Sequence, residues 1–156
     1  MAIELVRIDD RLIHGQVATT WSRNFNIEQI LIIDDKTKGD PVAASVANYA
    51  VPADVKVIIF GVAQFGEVIK KTEIKKKTML LFTNPMDILY LVGQGLKITE
   101  VNAGGMRFNG NRKRLSKAVS VTEEENKAFN DLISNGIHIN VQMVPKDPRV
   151  DYRTLN

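Results

Sequence analysis

The segment RIDDRLIHGQVATTW (residues 7–21) holds His14, one of only two histidines in the chain. Asp10 stands four residues before it and Arg11 three before, while Gly15 and Gln16 follow directly. Neutral imidazole is a good nucleophile near pH 7. Attack on phosphorus would give a phosphohistidine, and Arg11 offers a planar fork matched to phosphate oxygens. Asp10 is suited to orient the ring by accepting its second N–H, as a carboxylate does in a triad. Gly15 has no Cβ and lets backbone approach a bound group. If a helix opens near Gly15 or Gln16, its free N–H groups add an anion site. The competing reading is a solvated loop histidine with local salt bridges among Asp9, Asp10 and Arg11.

The elements that would position these residues follow from short apolar runs alternating with helical patterns. Residues 3–8, 29–34, 55–60, 77–82, 98–102, 117–121 and 137–144 read as strands, several nearly continuous in Ile, Val and Leu. Such runs mark strands buried on both faces of a parallel sheet. Asp40-Pro41 and Asn84-Pro85 read as N-caps followed by proline at the first helical position. Thr122 to Glu125 reads as a capping box, and Asn135-Gly136 as a helix stop. The expected architecture is a three-layer α/β/α sandwich with a mostly parallel, twisted sheet, one domain over residues 1–156. In such sheets ligands sit beyond the carboxyl ends of the strands, which is where His14 would lie.

Composition narrows the chemistry. With no cysteine among 156 residues, thiolate zinc sites, disulfides and cysteine nucleophiles are excluded. The early apolar run is broken by Arg7, Asp9, Asp10 and Arg11, and no window reaches the ~18 apolar residues of a membrane span. A cytoplasmic chain is expected. The net charge of +3 favours anionic partners, including phosphorylated ones. The stretch 103–116 reads as a long irregular loop. Arg107, Arg112, Lys113 and Arg114 in it, with Lys117 just beyond, would form a basic rim for partner docking beside the phosphate site. Asp34 and Asp35 end a strand on the same side; capping is favoured there over a Mg²⁺ site, and no metal is expected. Trp21 and Phe25 read as a core stripe, Lys70–Lys77 as a solvated helix end, and His138 as a packing or edge residue. Two other functions stay open. A nucleotide-binding α/β enzyme lacks its G-x-G-x-x-G or Walker A signature. A nucleic-acid module would have only Phe108 to stack among the basic residues.

VRIDDRLIHGQV (6–17) resembles the signature of the IIB components of the mannose/fructose/sorbose family of the bacterial phosphotransferase system. LIIDD (31–35), NAGGM (102–106), VTEEE (121–125) and QMVP (142–145) resemble that family's later segments in order, with alanine where valine is expected at Ala103. The likeness runs from about Val6 to about Val150. It implies a carrier that accepts a phosphoryl group from phosphohistidine of a IIA component, holds it on Nδ1 of His14, and passes it to a sugar arriving through membrane IIC and IID components. It implies no cofactor and a peripheral place at the membrane transporter. A homo-oligomer is possible, provided the His14 face stays free.

Overall fold

The computed structural model describes residues 2–155. In chain order the elements are β1 (Ile3–Asp9), α1 (Val17–Asn24), β2 (Gln29–Ile33), α2 (Asp35–Lys38) and α3 (Ala43–Tyr49). Then come β3 (Lys56–Phe60), α4 (Val62–Lys71), β4 (Thr78–Phe82), α5 (Pro85–Gly93) and β5 (Glu100–Gly105). The chain closes with β6 (Lys113–Arg114), β7 (Ser120–Val121), α6 (Glu123–Ser134), β8 (His138–Val141), β9 (Val150–Asp151) and a 3₁₀ turn, Tyr152–Leu155.

Strands β2 and β4 are apolar without alternation because both of their faces are covered. Leu31, Ile33, Leu80 and Phe82 pack in one cluster with Phe65 of α4, Leu91 of α5 and Phe129 of α6. Ile30, Ile32, Met79 and Leu81 pack in a second cluster with Trp21 of α1 and Ala47 of α3. Helices therefore lie on both sides of the sheet, as the apolar runs predict. Fully burying one Leu, Ile or Phe side chain is worth about 1.5–3 kcal/mol, so these two central strands dominate the core. The main sheet has seven strands in the order β3-β2-β4-β1-β5-β8-β9. All pairings are parallel except β8 with β9.

Four expectations change. Residues 117–121 do not join the main sheet. Both edges of β5 are already taken, by β1 and by β8. The segment therefore folds back as β7 against β6 in a two-stranded antiparallel ribbon, with Val119 bridging Met106. The stretch 103–116 is correspondingly more ordered than a loop, since Ala103 to Gly105 complete β5 and Lys113-Arg114 form β6. The short strand β9 follows Pro148 and was not expected. Asp40-Pro41 also differs: α3 begins at Ala43, and the Asp40 carboxylate accepts the Val42 N–H at 3.1 Å to shape a turn just before it.

The remaining end signals hold. Asn84 caps α5 by accepting the Asp87 N–H at 3.0 Å, with Pro85 at the first turn. Thr122 and Glu125 close a capping box on α6, and Gly136 ends it with φ +83°. Lys70 and Lys71 occupy the last turn of α4, where cations complement the helix dipole. Loss of the α5 cap is directly measurable. Asn84→Ala should lower stability by about 1–2 kcal/mol, seen as a lower midpoint in urea with an unchanged slope.

Candidate functional site

β1 carries two charged side chains, Arg7 and Asp9, into an otherwise apolar setting. They are 2% and 1% exposed. Being two residues apart, they share one face of the strand. The Arg7 guanidinium donates to Asn102 Oδ1, to the carbonyls of Gln142 and Met143, and to Asp9 Oδ2 at 3.3 Å. Its face lies 4.8 Å from the centroid of the Trp21 ring. Burial draws Arg7 down from the ordinary arginine value to about 10, with Asp9 opposing the shift. The group therefore stays charged at neutral pH.

The neighbouring backbone makes room for this pair. Ile8 pairs with Ala103 and Asp9 with Gly105, so Gly104 is an extra residue at a bulge in β5. A Cβ on Gly104 would lie 1.9 Å from Arg7 Nη1, and one on Gly105 2.7 Å from Asp9 Cγ. The two glycines in NAGGM are thus required by the side chains of the adjacent strand.

His14 sits on the β1–α1 connection at the carboxyl end of the parallel strands. Its Nε2 is 3.0 Å from Asp9 Oδ2, and its side chain is 21% exposed. The orienting carboxylate is therefore Asp9, not the expected Asp10. Asp9 ends β1 on the Arg7 face, whereas Asp10 is turned toward the ribbon side. Nδ1 of His14 has no hydrogen-bond partner among the described residues. The loop itself is shaped in advance. Leu12 has φ +56° and Gly15 φ +49°, and left-handed backbone is uncommon for leucine. Leu12 and Ile13 pack against the core under α1, and the Leu12 N–H donates to the Asp9 carbonyl at 2.9 Å.

Arg11 donates its peptide N–H to Asp9 Oδ1 at 3.0 Å, and its Nε lies 4.0 Å from the same oxygen. Its side chain is 43% exposed. Arg11 and His14 thus meet over one carboxylate. The helix opens later than expected, at Val17. Gln16 is the N-cap residue and gives no side-chain cap, and no acidic residue lies in the first turn. Gly15 and Gln16 are exposed.

The basic segment divides. Arg112 is largely withdrawn from solvent, held by Asp10 at 2.7 Å and by Glu125 at 2.8 Å. It is thus a tie between elements rather than a free docking cation. Burial opposes its charge, but the hydrogen bonds it donates to both carboxylates outweigh that and push its pKa up. Arg107, Lys113 and Arg114 remain exposed, with Arg114 5.7 Å from the exposed Phe108 ring. Arg107 donates its N–H to Asp10 Oδ2 at 2.7 Å, which puts the basic segment beside the His14 loop. Asp34 caps α2 through the Thr37 N–H, and Asp35 accepts the Val62 N–H at the start of α4. Trp21 is buried and stacks on Phe25. His138 is exposed at the start of β8, 4.0 Å from Asp151.

Arg7 and Asp9 are the residues that sequence reasoning missed. The signal was present: two charges at strand spacing, Arg7 inside the run 3–8 assigned to a buried sheet and Asp9 one residue beyond it.

Comparison with known proteins identifies relatives of this chain. Residues 3–155 match the family described as PTS system sorbose subfamily IIB component. The PTS system mannose-specific EIIAB component of Escherichia coli K12 is 40% identical over 156 residues, 99% of this chain and 48% of that protein. The chain thus spans about half the length of that relative. The PTS system sorbose-specific EIIB component of Klebsiella pneumoniae is 38% identical, covering 97% of this chain and 93% of the relative. The crystal structure of the IIBSor domain of the sorbose permease from Klebsiella pneumoniae superposes with a TM-score of 0.92 at 37% identity, over 99% of this chain and 96% of that one. This chain belongs to the sorbose subfamily of phosphotransferase-system IIB components.

Proposed function

We propose that His14 carries a phosphoryl group on Nδ1, taken from a phosphohistidine of a IIA component and passed to a sugar at membrane IIC and IID components. The single observation that carries this reading is the 3.0 Å contact between Nε2 and the buried Asp9 carboxylate. A carboxylate there accepts the Nε2 proton, selects that tautomer, and leaves the Nδ1 lone pair as the nucleophile. As the Nδ1–P bond forms, the N–P bond of the donor breaks and its electron pair returns to the donor imidazole. The ring of His14 then carries positive charge, which Asp9 offsets. In the onward step the Nδ1–P bond breaks and its electron pair returns to the His14 ring, as a sugar hydroxyl oxygen bonds to phosphorus and gives up its proton to water.

Arg11 supplies partly exposed charge beside the ring, and α1 begins just after it at an N-cap, Gln16, that gives no side-chain cap. Arg11 and the N–H groups of that helix start would carry the phosphoryl oxygens. Both nitrogens in the first step are imidazole nitrogens, so positioning and charge neutralisation suffice. Arg107, Lys113 and Arg114 form the docking rim in this reading; Arg112 no longer belongs to it. Among the described residues no helix is long and apolar enough to cross a membrane. The proposed role makes residues 1–156 one cytoplasmic domain, peripherally attached at the membrane components.

Three outcomes test the proposal. His14→Ala should fold normally and take no acid-labile label from phosphorylated IIA, while His138→Ala labels like the parent; label persisting in His14→Ala would overturn it. Arg11→Ala should slow transfer by a factor on the order of ten to a hundred, from losing about 1.5–3 kcal/mol of charge-assisted bonding, with Arg11→Lys recovering only part. Asp9→Asn, which keeps an acceptor oxygen but removes the charge, should lower the transfer rate at least ~10-fold under conditions where it is folded, whereas Asp9→Ala, which removes both charge and acceptor beside the buried Arg7 cation, should cost more stability, about 3–5 kcal/mol in chemical denaturation.

A further inference from the structure

Arg112 uses all five of its guanidinium N–H donors, and the partners come from three separate parts of the chain. Nη1 donates to Asp10 Oδ2 at 2.7 Å and to the Arg107 carbonyl at 2.9 Å. Nη2 donates to Asp10 Oδ1 at 3.1 Å and to Glu125 Oε2 at 2.8 Å. Nε donates to Glu125 Oε1 at 2.9 Å. Glu125 Oε1 also accepts the Thr122 N–H at 2.9 Å, so the carboxylate that caps α6 is the one that holds the arginine. On the other side, Asp10 Oδ2 accepts the Arg107 N–H, and the Asp10 N–H donates to the Gly105 carbonyl at 2.7 Å. Asp10 stands between Asp9, which holds the His14 ring, and Arg11, which lies over the same carboxylate.

We propose that Arg112 is a positioning residue for transfer at His14: through Asp10 it clamps the β1–α1 loop to the basic segment and to the N-terminus of α6. The proposal rests on His14 being the phosphoryl carrier. Its physical basis is geometric. A bidentate fork on each of two carboxylates fixes both distance and plane, and neither an ammonium nor a neutral side chain reproduces it. The loop that the clamp holds contains left-handed Leu12, a conformation that persists only where surrounding contacts enforce it. Releasing Asp10 lets the peptide between Asp9 and Arg11 reorient and loosens the Asp9–His14 contact. Transfer is sensitive to displacements on the order of 1 Å in such a contact.

The experiment compares Arg112→Lys and Asp10→Asn with the parent chain, after thermal melts identify conditions where each is folded. Single-turnover transfer from phosphorylated IIA is followed across IIA concentration, and ¹⁵N shifts of the His14 ring are recorded without any partner. Both variants should lose on the order of tenfold or more in transfer rate at saturating IIA, with half-saturation moved less than about threefold. The double variant should be no slower than either single, because the two residues act as one unit. The ring shifts should move from a single Nε2–H tautomer toward a mixture. Parent-like rates and shifts in Arg112→Lys would overturn the proposal. So would a change confined to half-saturation, which would return Arg112 to the docking rim. Failure of the carrier reading is separately visible, as absence of label on His14 in the parent chain, and the ring shifts would still decide whether the clamp orients the histidine.

Discussion

The site depends on burying an arginine and an aspartate side by side in the middle strand of the sheet. Desolvation alone makes this unfavourable, and a buried ion pair is weak evidence for stability unless its remaining donors and acceptors are satisfied. Here they are. The Arg7 guanidinium has an amide oxygen, two backbone carbonyls and a carboxylate around it, with the Trp21 ring on its face. Asp9 accepts from Arg7 and from the Arg11 N–H, and it meets the His14 ring. Removing either residue would leave a buried charge without its counterpart. Two glycines, a bulge in β5 and the carbonyls that follow β8 are arranged around this pair. The sheet is thus shaped from within by the charge it presents to the histidine.

Much of the fold was legible because its signals are local. Apolar runs bounded by Asn-Pro, a Thr-to-Glu capping box and Asn-Gly fix strand and helix positions through backbone chemistry that needs no distant partner. The failures are equally physical. Residues 117–121 have strand composition, but a strand needs a free edge, and β5 has none left. Asp40-Pro41 carries the residue types of a cap, yet its carboxylate serves the turn before the helix. Neither outcome can be read from a propensity.

The site was legible to its histidine and one residue short of its carboxylate. Asp9 and Asp10 are adjacent and chemically identical, so residue type cannot separate them; only the strand's period of two does. Arg7 and Asp9 share a face, and Asp10 belongs to the next turn of chain, where it meets Arg112 instead. Extending β1 by one residue beyond the expected end at Ile8 was all that the choice required. The glycines at 104 and 105 were a second clue. Their reason lies across the strand pair, in side chains that would collide with any Cβ, and such a reason is invisible until the register is known.

Beside Arg107 of the basic segment, Arg7, Arg11 and Arg112 gather around one loop, and their roles follow from their surroundings rather than from their charge. Arg7 is enclosed, lowered toward about 10 by burial, and confined to carbonyl, amide and carboxylate partners; it can do no more than hold Asp9. Arg112 is largely enclosed but saturated by two carboxylates, so its pKa moves the opposite way and its charge is neutralised within the protein. Of these three, Arg11 is the most exposed, with its backbone N–H rather than its guanidinium making the close contact to Asp9. In the proposed reaction a phosphoryl group on His14 would meet the partly exposed Arg11, on a loop held from beneath by one arginine and from the side by another. The loop combines a partly exposed cation with a rigid base, because the charges that stiffen it are enclosed in hydrogen bonds while the Arg11 guanidinium meets Asp9 only at 4.0 Å.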